Sequence, residues 1–324
     1  MEIIIKIATR KSRLALAQTH EVIASLEKTG KIKIVETIPT VTSGDKFKSK
    51  DFKLNGGKGL FIKELESMLL NGEADVAIHS LKDVPAILDD RFEIVSVLER
   101  ECPNDVFISI NYNAIEDLPI NSTIGTSSPR RAAQLRALSK NFKVKELRGN
   151  IETRIDKLHN KKYDAIILAA AGLHRLNLEG VISQYISEEH FVPSAGQGVL
   201  CAEFLKDNQD IKKIMSSVSD NILNTCIKEE RNFVRKMAGD CMSPIGAYGR
   251  VVKDSFELEG FVSDIRGVNY IKSKYVCDIN KANNAGEKLG DIFIKQGAKK
   301  LINCLLYTSP SPRDSDTSRM PSSA

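Results

Sequence analysis

Two stretches of the chain follow one grammar, and that grammar constrains the fold more than any other feature. In the first, Ile3, Ile5 and Ile7 alternate as a strand requires, Thr9-Arg10-Lys11-Ser12 makes a short polar turn, and Leu14, Leu16 and Ala17 continue at helical spacing. In the second, Ser122-Thr123-Ile124-Gly125-Thr126 reads as a strand, Ser127-Ser128 as an N-cap and Pro129 as the first helical residue. Laying Ile7-Ala8-Thr9 over Ile124-Gly125-Thr126 sets Ser12 opposite Pro129, beside Ser128, and Arg13 opposite Arg130. Farther on, Asn71-Gly72-Glu73-Ala74-Asp75-Val76-Ala77-Ile78 resembles Asn160-Lys161-Lys162-Tyr163-Asp164-Ala165-Ile166-Ile167. These parallels predict two similarly built α/β domains.

Between the repeats the alternation continues. Gly56-Gly57-Lys58-Gly59 marks a loop, then Leu60, Phe61, Leu65, Met68 and Leu69 recur at helical spacing until Asn71-Gly72 ends the helix. A buried strand over Asp75 to Ile78 follows, then the polar phrase His79-Ser80-Leu81-Lys82-Asp83. Strands and helices in this order predict a largely parallel sheet with helices on both faces. Polar breaks at Glu101 to Asp105 and at Pro193 to Gly198 are where a chain would enter a second domain and return. After about residue 220 the texture changes to a helix over Asn221 to Met237, a loop holding Cys241, short strands to about Asp278 and a final helix. The expected domains are 1–100 with 198–218, then 101–197, then a small α+β unit over 219–304. Residues 305–324, rich in Ser, Pro, Asp and Arg with almost nothing to bury, read as a disordered tail foreign to the working protein.

A length of 324 residues suits two or three domains, and 42% apolar with 27% charged residues is an ordinary globular composition. The longest apolar stretch, Ala165 to Leu173, is about half of what a bilayer span needs. The opening phrase, Glu2 to Ala8, lacks the regions of an export signal, so a cytoplasmic protein without membrane attachment is expected. Six scattered cysteines then read as reduced thiols, and five histidines without metal-ligand spacing predict no metal site. The net charge of +5 is mild, so where the arginines sit matters more.

Arg10, Arg13, Arg130, Arg131, Arg148 and Arg154 stand at or near helix starts, where the helix dipole disfavours a cation. Any one of them reads as an ordinary solvated ion pair. Together with the hydroxyls of Ser12 and Ser128 they read as a site for a ligand carrying several carboxylates or phosphates. The glycine loops meet no nucleotide fingerprint: Gly56-Gly57-Lys58-Gly59 lacks the hydroxyl residue after Lys, and Gly196-Gln197-Gly198 is followed by Cys201 where a third glycine is needed. Lys82-Asp83 should lie at the carboxyl end of a buried strand, where open α/β sheets place their sites. An aspartate there could steady a cation, since opposite charges about 4 Å apart gain about 4 kcal/mol at an effective dielectric near 20. Cys241, between Gly239-Asp240 and Met242-Ser243-Pro244-Ile245-Gly246, is either a buried small hydrophobe or a reactive attachment point, and spacing does not choose between them.

At this point the residues resemble the hydroxymethylbilane synthase family, also called porphobilinogen deaminase. The motifs are Ile7 to Ser12, Gly56 to Phe61 with Lys63 to Glu66, Ala77 to Pro85, Ile124 to Ser128 with Arg130-Arg131, Leu147 to Asn150 with Thr153-Arg154, Ala169 to Leu176, Pro193 with Gly196 to Gly198, and Cys241 with Pro244 to Gly246. The resemblance runs over residues 3 to 302. It implies two domains like those of periplasmic binding proteins with a cleft between them, and a third carrying a dipyrromethane cofactor on Cys241 through a thioether. Porphobilinogen units would be deaminated and added head to tail until four have joined, after which water releases hydroxymethylbilane.

By the same resemblance, Asp83, Lys82, Arg10 and Gln197 would be catalytic. Asp83 would pair with pyrrole nitrogens and stabilise an azafulvene-like cation, and nearby arginines would favour its ionised form. Cys241, Lys82, Asp83, Thr126, Ser128, Arg130, Arg131 and Arg154 would hold the cofactor. Arg10, Ser12, Arg148, Arg154, Phe61 and Lys58 would hold the substrate, and Asp45 to Gly59 would form a mobile lid. A monomer acting on porphobilinogen, with no nucleic-acid partner, is expected. The chain departs from the family pattern at Asp240, where many relatives have a second glycine before the cysteine. Two other classes compete. A solute-binding protein would suit a hinged cleft but leaves Cys241 without a task, and a nucleic-acid binder would need a basic helix face with interleaved aromatics.

Overall fold

The computed structural model describes residues 4–30, 34–46, 62–138, 141–238 and 243–303. Cys241 and Asp240, Lys58 and Phe61, most of the expected lid, and the 305–324 tail lie outside the described residues.

The first sheet contains β1 (Ile4–Arg10), β2 (Ile34–Thr40), β3 (Val76–Ser80), β4 (Phe92–Val97) and β10 (Leu200–Leu205), in the order β2-β1-β3-β10-β4. Its neighbouring helices are α1 (Arg13–Lys28), α3 (Lys63–Leu70) and α7 (Gln209–Ser216), with a single turn of helix, α2, at Ser43–Lys46. Strand alternation decides which helix covers which face. Ile5 and Ile7 pack with Val22 and Leu26 of α1, whereas Ala8 and Ala77 pack with Leu65 and Leu69 of α3. The second sheet contains β5 (Asp105–Ile108), β6 (Thr123–Gly125), β7 (Lys143–Lys145), β8 (Ala165–Ala169) and β9 (Gln184–Tyr185), in the order β7-β6-β8-β5-β9. Leu135 of α4 (Pro129–Ala137) covers one face, and Ile155 and Leu158 of α5 (Ile151–His159) cover the other. A short α6 (Ala170–His174) follows β8 directly.

The two sheets are the same object built twice. Each is parallel through its first three strands and carries one antiparallel strand in the fourth position, β10 in the first and β5 in the second. Both odd strands are the ones laid down just after the chain crosses between lobes, which is why the sheets are mixed. The likeness extends to single hydrogen bonds. Asp75 accepts the Lys6 N–H at 2.8 Å and donates its own N–H back to Lys6 O at 2.9 Å; Asp164 does the same with Thr123 at 2.7 and 2.9 Å. Gly72 and Lys161, aligned in the sequence, both end their helices with positive φ, +68° and +55°.

The overlay slips by one residue after Thr9 and Thr126. Ser12 caps α1 by accepting the Ala15 N–H at 3.2 Å, and Ser128 caps α4 by accepting the Arg131 N–H at 3.3 Å, so Ser12 corresponds to Ser128 rather than to Pro129. The turn after β1 is one residue longer, and Arg13 is therefore not the counterpart of Arg130.

The third unit is an antiparallel meander of β11 (Ile245–Val252), β12 (Ser255–Ser263) and β13 (Tyr270–Asp278), packed against α8 (Asn221–Lys236) and α9 (Ala285–Lys295). Phe233 and Phe293 meet edge to face with centroids 4.9 Å apart above Gly260, where a Cβ would lie 2.8 Å from Phe233 Cζ. The single final helix expected from the sequence is two, since α10 (Ala298–Asn303) follows a break at Gly297 with φ +94°.

The two crossings and the third unit meet at one carboxylate. Glu230 of α8, fully buried, accepts the N–H of Gly196 at 2.7 Å, the N–H of Gly249 at 2.8 Å and Arg100 Nη2 at 2.8 Å. Arg100 in turn donates to Gln197 O at 3.1 Å and Gly249 O at 3.1 Å. The crossings run so close that a Cβ on Gly198, whose φ is +85°, would lie 2.1 Å from Glu101 O.

Candidate active site

Lys82 and Asp83 occupy a turn of 3-10 helix at the carboxyl end of β3. Leu81 anchors it: its N–H donates to Val199 O at 2.9 Å, and its side chain fills the space that a Cβ on Gly196 would need. The buried Leu81 holds the turn down while Lys82 is left half-buried and Asp83 exposed. Arg10 ends β1, half-buried, and Ser12 begins α1. Each capping hydroxyl, Ser12 and Ser128, accepts a backbone N–H and keeps its own proton to donate.

The second lobe contributes two turns tied together by Ser127, whose hydroxyl donates to Leu147 O at 2.7 Å and accepts the Leu147 N–H at 3.1 Å. Thr126 Oγ1 accepts the Ser128 N–H at 3.2 Å and so belongs to the turn itself. Arg148 pairs with Glu146 at 2.6 Å, and Arg154 Nε donates to Gly149 O at 2.8 Å. Gly149 has φ +115°, a backbone that only glycine adopts readily, and Asn150 Oδ1 then caps α5 by accepting the Thr153 N–H at 2.8 Å.

The electrostatics join the lobes. Burial and then Arg131 push the Lys82 ammonium down to about 8, against the pull of Asp83 and Asp105. Burial and then Arg131, with Arg148 adding, push Arg154 down to about 10, and Asp83 again opposes. Lys82 and Asp83 from the first lobe thus share one field with Arg131, Arg154 and Arg148 from the second. Positive charge is in surplus there.

Arg130 and Arg131 are deeper than the sequence suggested. Both are buried on Asp105, the first residue of β5. Arg130 reaches Asp105 at 2.7 and 3.2 Å and Val192 O at 2.7 Å; Arg131 reaches Asp105 through Nε at 2.9 Å and Ile167 O at 3.2 Å. Burial alone would raise the Asp105 pKa, but the two guanidinium groups overcome it and hold the carboxyl well below the usual range. Gln197, expected among the catalytic groups, is fully buried in this layer. Its Nε2 donates to Asp105 at 3.0 Å and to Pro103 O at 2.6 Å, bridging the two crossings, and its Oε1 has no partner among the described residues. Arg13 instead faces Glu152 of the other lobe at 3.2 Å, largely exposed.

Asp105, Arg100 and Glu230 were not singled out from sequence. A faint signal was present for Asp105, since an aspartate opening the otherwise apolar strand Asp-Val-Phe-Ile demands a buried partner.

Residues 5–213 match the family model "Porphobilinogen deaminase, dipyromethane cofactor binding domain", and residues 224–295 match "Porphobilinogen deaminase, C-terminal domain". The chain belongs to the porphobilinogen deaminase family. The porphobilinogen deaminase of Bordetella parapertussis is 40% identical over 306 residues, 94% of this chain and 98% of that protein. That of Neisseria meningitidis serogroup B is 38% identical over 302 residues, 93% and 97% of the two chains, and that of Thiobacillus denitrificans is 39% identical over 299 residues, 92% and 98%. Among solved structures, the periplasmic VFT2 domain of Bordetella pertussis BvgS covers 66% of this chain and 86% of its own at 13% identity and a TM-score of 0.42. As a porphobilinogen deaminase family member, the chain is a transferase of porphyrin biosynthesis that works with dipyrromethane. The residues fit that group. The dipyrromethane group carries a carboxylate pair on each ring, and carboxylates beside Lys82, Arg131 and Arg154 would offset the burial and the Arg131 repulsion that lower Lys82 and Arg154. Among the described residues there is no cluster of His, Cys, Asp and Glu able to hold a metal, and no helix is long and apolar enough to cross a membrane.

Proposed function

We propose that this cleft deaminates porphobilinogen and joins four pyrroles head to tail on a dipyrromethane bonded to Cys241, with hydrolysis releasing hydroxymethylbilane. The bound cofactor supplies the pyrrole carbon to which the first new unit is joined. Lys82, Arg131 and Arg154, with the Ser128 hydroxyl, would hold its carboxylates, with Thr126 shaping the turn beneath them. Arg10, Ser12 and Arg148 would hold the acetate and propionate of incoming substrate, together with Lys58 and Phe61. Asp83 would accept pyrrole N–H groups and offset the positive charge that develops as ammonia leaves. Arg130 and Gln197 would act one layer deeper, keeping Asp105 and thereby Arg131 in place. Residues 1–100 with 198–218, 101–197 and 219–304 are taken as three domains, one per sheet, in a cytoplasmic monomer whose partner is the small substrate alone, without nucleic acid or membrane.

What supports this reading is the meeting of Lys82 and Asp83 of the first lobe with Arg131 and Arg154 of the second, whose charges act on one another. Porphobilinogen consumption by Asp83→Ala tests it. Turnover is expected to fall by at least about a hundredfold with an unchanged melting temperature, the scale on which a group acting on the reacting centre contributes. Normal turnover in the folded variant would overturn the role of Asp83.

A further inference from the structure

Arg231 lies on α8 of the third unit and is only 9% exposed, and its guanidinium reaches into the first lobe. Nη1 donates to Val84 O at 3.2 Å, and Nη2 donates to Pro85 O at 2.6 Å and Ala86 O at 3.3 Å. These are the three residues that follow Asp83. Three successive carbonyls turned towards one point repel each other unless a donor fork gathers them, and a planar guanidinium suits that task better than an ammonium. On the other side, the turn is fixed by Leu81 against Val199 and Gly196 of the return crossing. Asp83 therefore sits in a turn gripped from two directions, and one of the grips belongs to another unit of the fold.

The helix that supplies this grip ends at Lys236, five residues before Cys241. We propose that Arg231 is a positioning residue of the reaction: by gathering the carbonyls of Val84 to Ala86 it fixes Asp83 relative to α8. The proposal rests on the role given to Asp83 above. Arg231 acts through the turn, its guanidinium being taken up by the three carbonyls.

The test uses the holoenzyme as purified, with Arg231→Met, Arg231→Lys, Asp83→Ala and the double variant Asp83→Ala/Arg231→Met. Intact mass should show the bound pyrroles retained in both Arg231 variants. In Arg231→Met, kcat should fall about 10- to 100-fold, the loss that small misplacements of a reacting group produce, with KM within about threefold of wild type. Arg231→Lys, which can keep part of the grip, should fall between the two. The double variant should be no slower than Asp83→Ala alone, because residues acting through one another are not additive. An unchanged kcat in Arg231→Met, a change confined to KM, loss of the bound pyrroles, or a double variant slowed by the product of the single effects would each overturn the proposal. Should Arg231→Met fail to fold, a normal kcat in Arg231→Lys would do so. A normal Asp83→Ala would remove the role of Asp83 and this proposal with it; a crippled Asp83→Ala beside a normal Arg231→Met would remove this proposal alone.

Discussion

Lys82 is a residue whose charge should depend on what binds beside it. Burial and Arg131 lower it to about 8, so part of its charge is lost in mildly alkaline buffer. A carboxylate ligand favours the charged form, which makes binding strongest below the lowered value and weaker as pH rises through it. Titrating the apo protein with an unreactive pyrrole dicarboxylate should therefore give an affinity that declines between pH 7 and 9 with a midpoint near 8. Lys82→Arg should remove that midpoint. Asp105 works in the opposite sense. Its carboxyl is held below the ordinary range, so the stability it supplies is complete above about pH 4 and is lost as pH falls through the lowered value. Asp105→Asn strands two buried guanidinium groups and should cost about 3–5 kcal/mol in urea unfolding at neutral pH. A loss below about 1 kcal/mol would contradict the pairing. Lys82 and Asp83 were legible in the sequence because a polar pair directly after an apolar strand has few other places to go. The partner of Arg130 and Arg131 was not, because Asp105 lies 25 and 26 residues away and meets them only once β5 is laid beside β8.

At the scale of elements, the strand and helix grammar was readable wherever periodicity ran long enough, as in β1 to α1 and β6 to α4. The length of the turn between them was not. Thr9 and Thr126 align, but hydrogen bonding decides where each helix begins, and only the caps at Ser12 and Ser128 reveal the extra residue. The antiparallel strands were hidden for a related reason, since β5 and β10 take their direction from where the chain crosses. The Arg148-Gly149-Asn150 turn shows what such details do for the site. Gly149→Ala would force a φ of +115° on a residue with a Cβ, set 2.8 Å from Thr153 Cγ2. The expected loss is about 1–3 kcal/mol in thermal unfolding, with a raised KM because Arg148 and Arg154 flank the turn. Unaltered stability and KM would show that the turn does not depend on its glycine.

The whole molecule is two copies of one sheet topology, a third unit, and a layer of buried charge where they meet. Breaks at Glu101 to Asp105 and Pro193 to Gly198 were visible as polar interruptions, and the duplication as aligned phrases. What joins the parts was invisible, because Glu230 collects Arg100, Gly196 and Gly249 from three separate regions of the chain. The family match supplies the chemistry of that assembly, and Cys241 carries its central claim. Intact mass of the purified protein tests this most directly. The wild type should exceed the mass of the bare chain by two linked pyrrole dicarboxylates, and Cys241→Ser should not. A catalytically active wild type at the bare-chain mass would contradict the account.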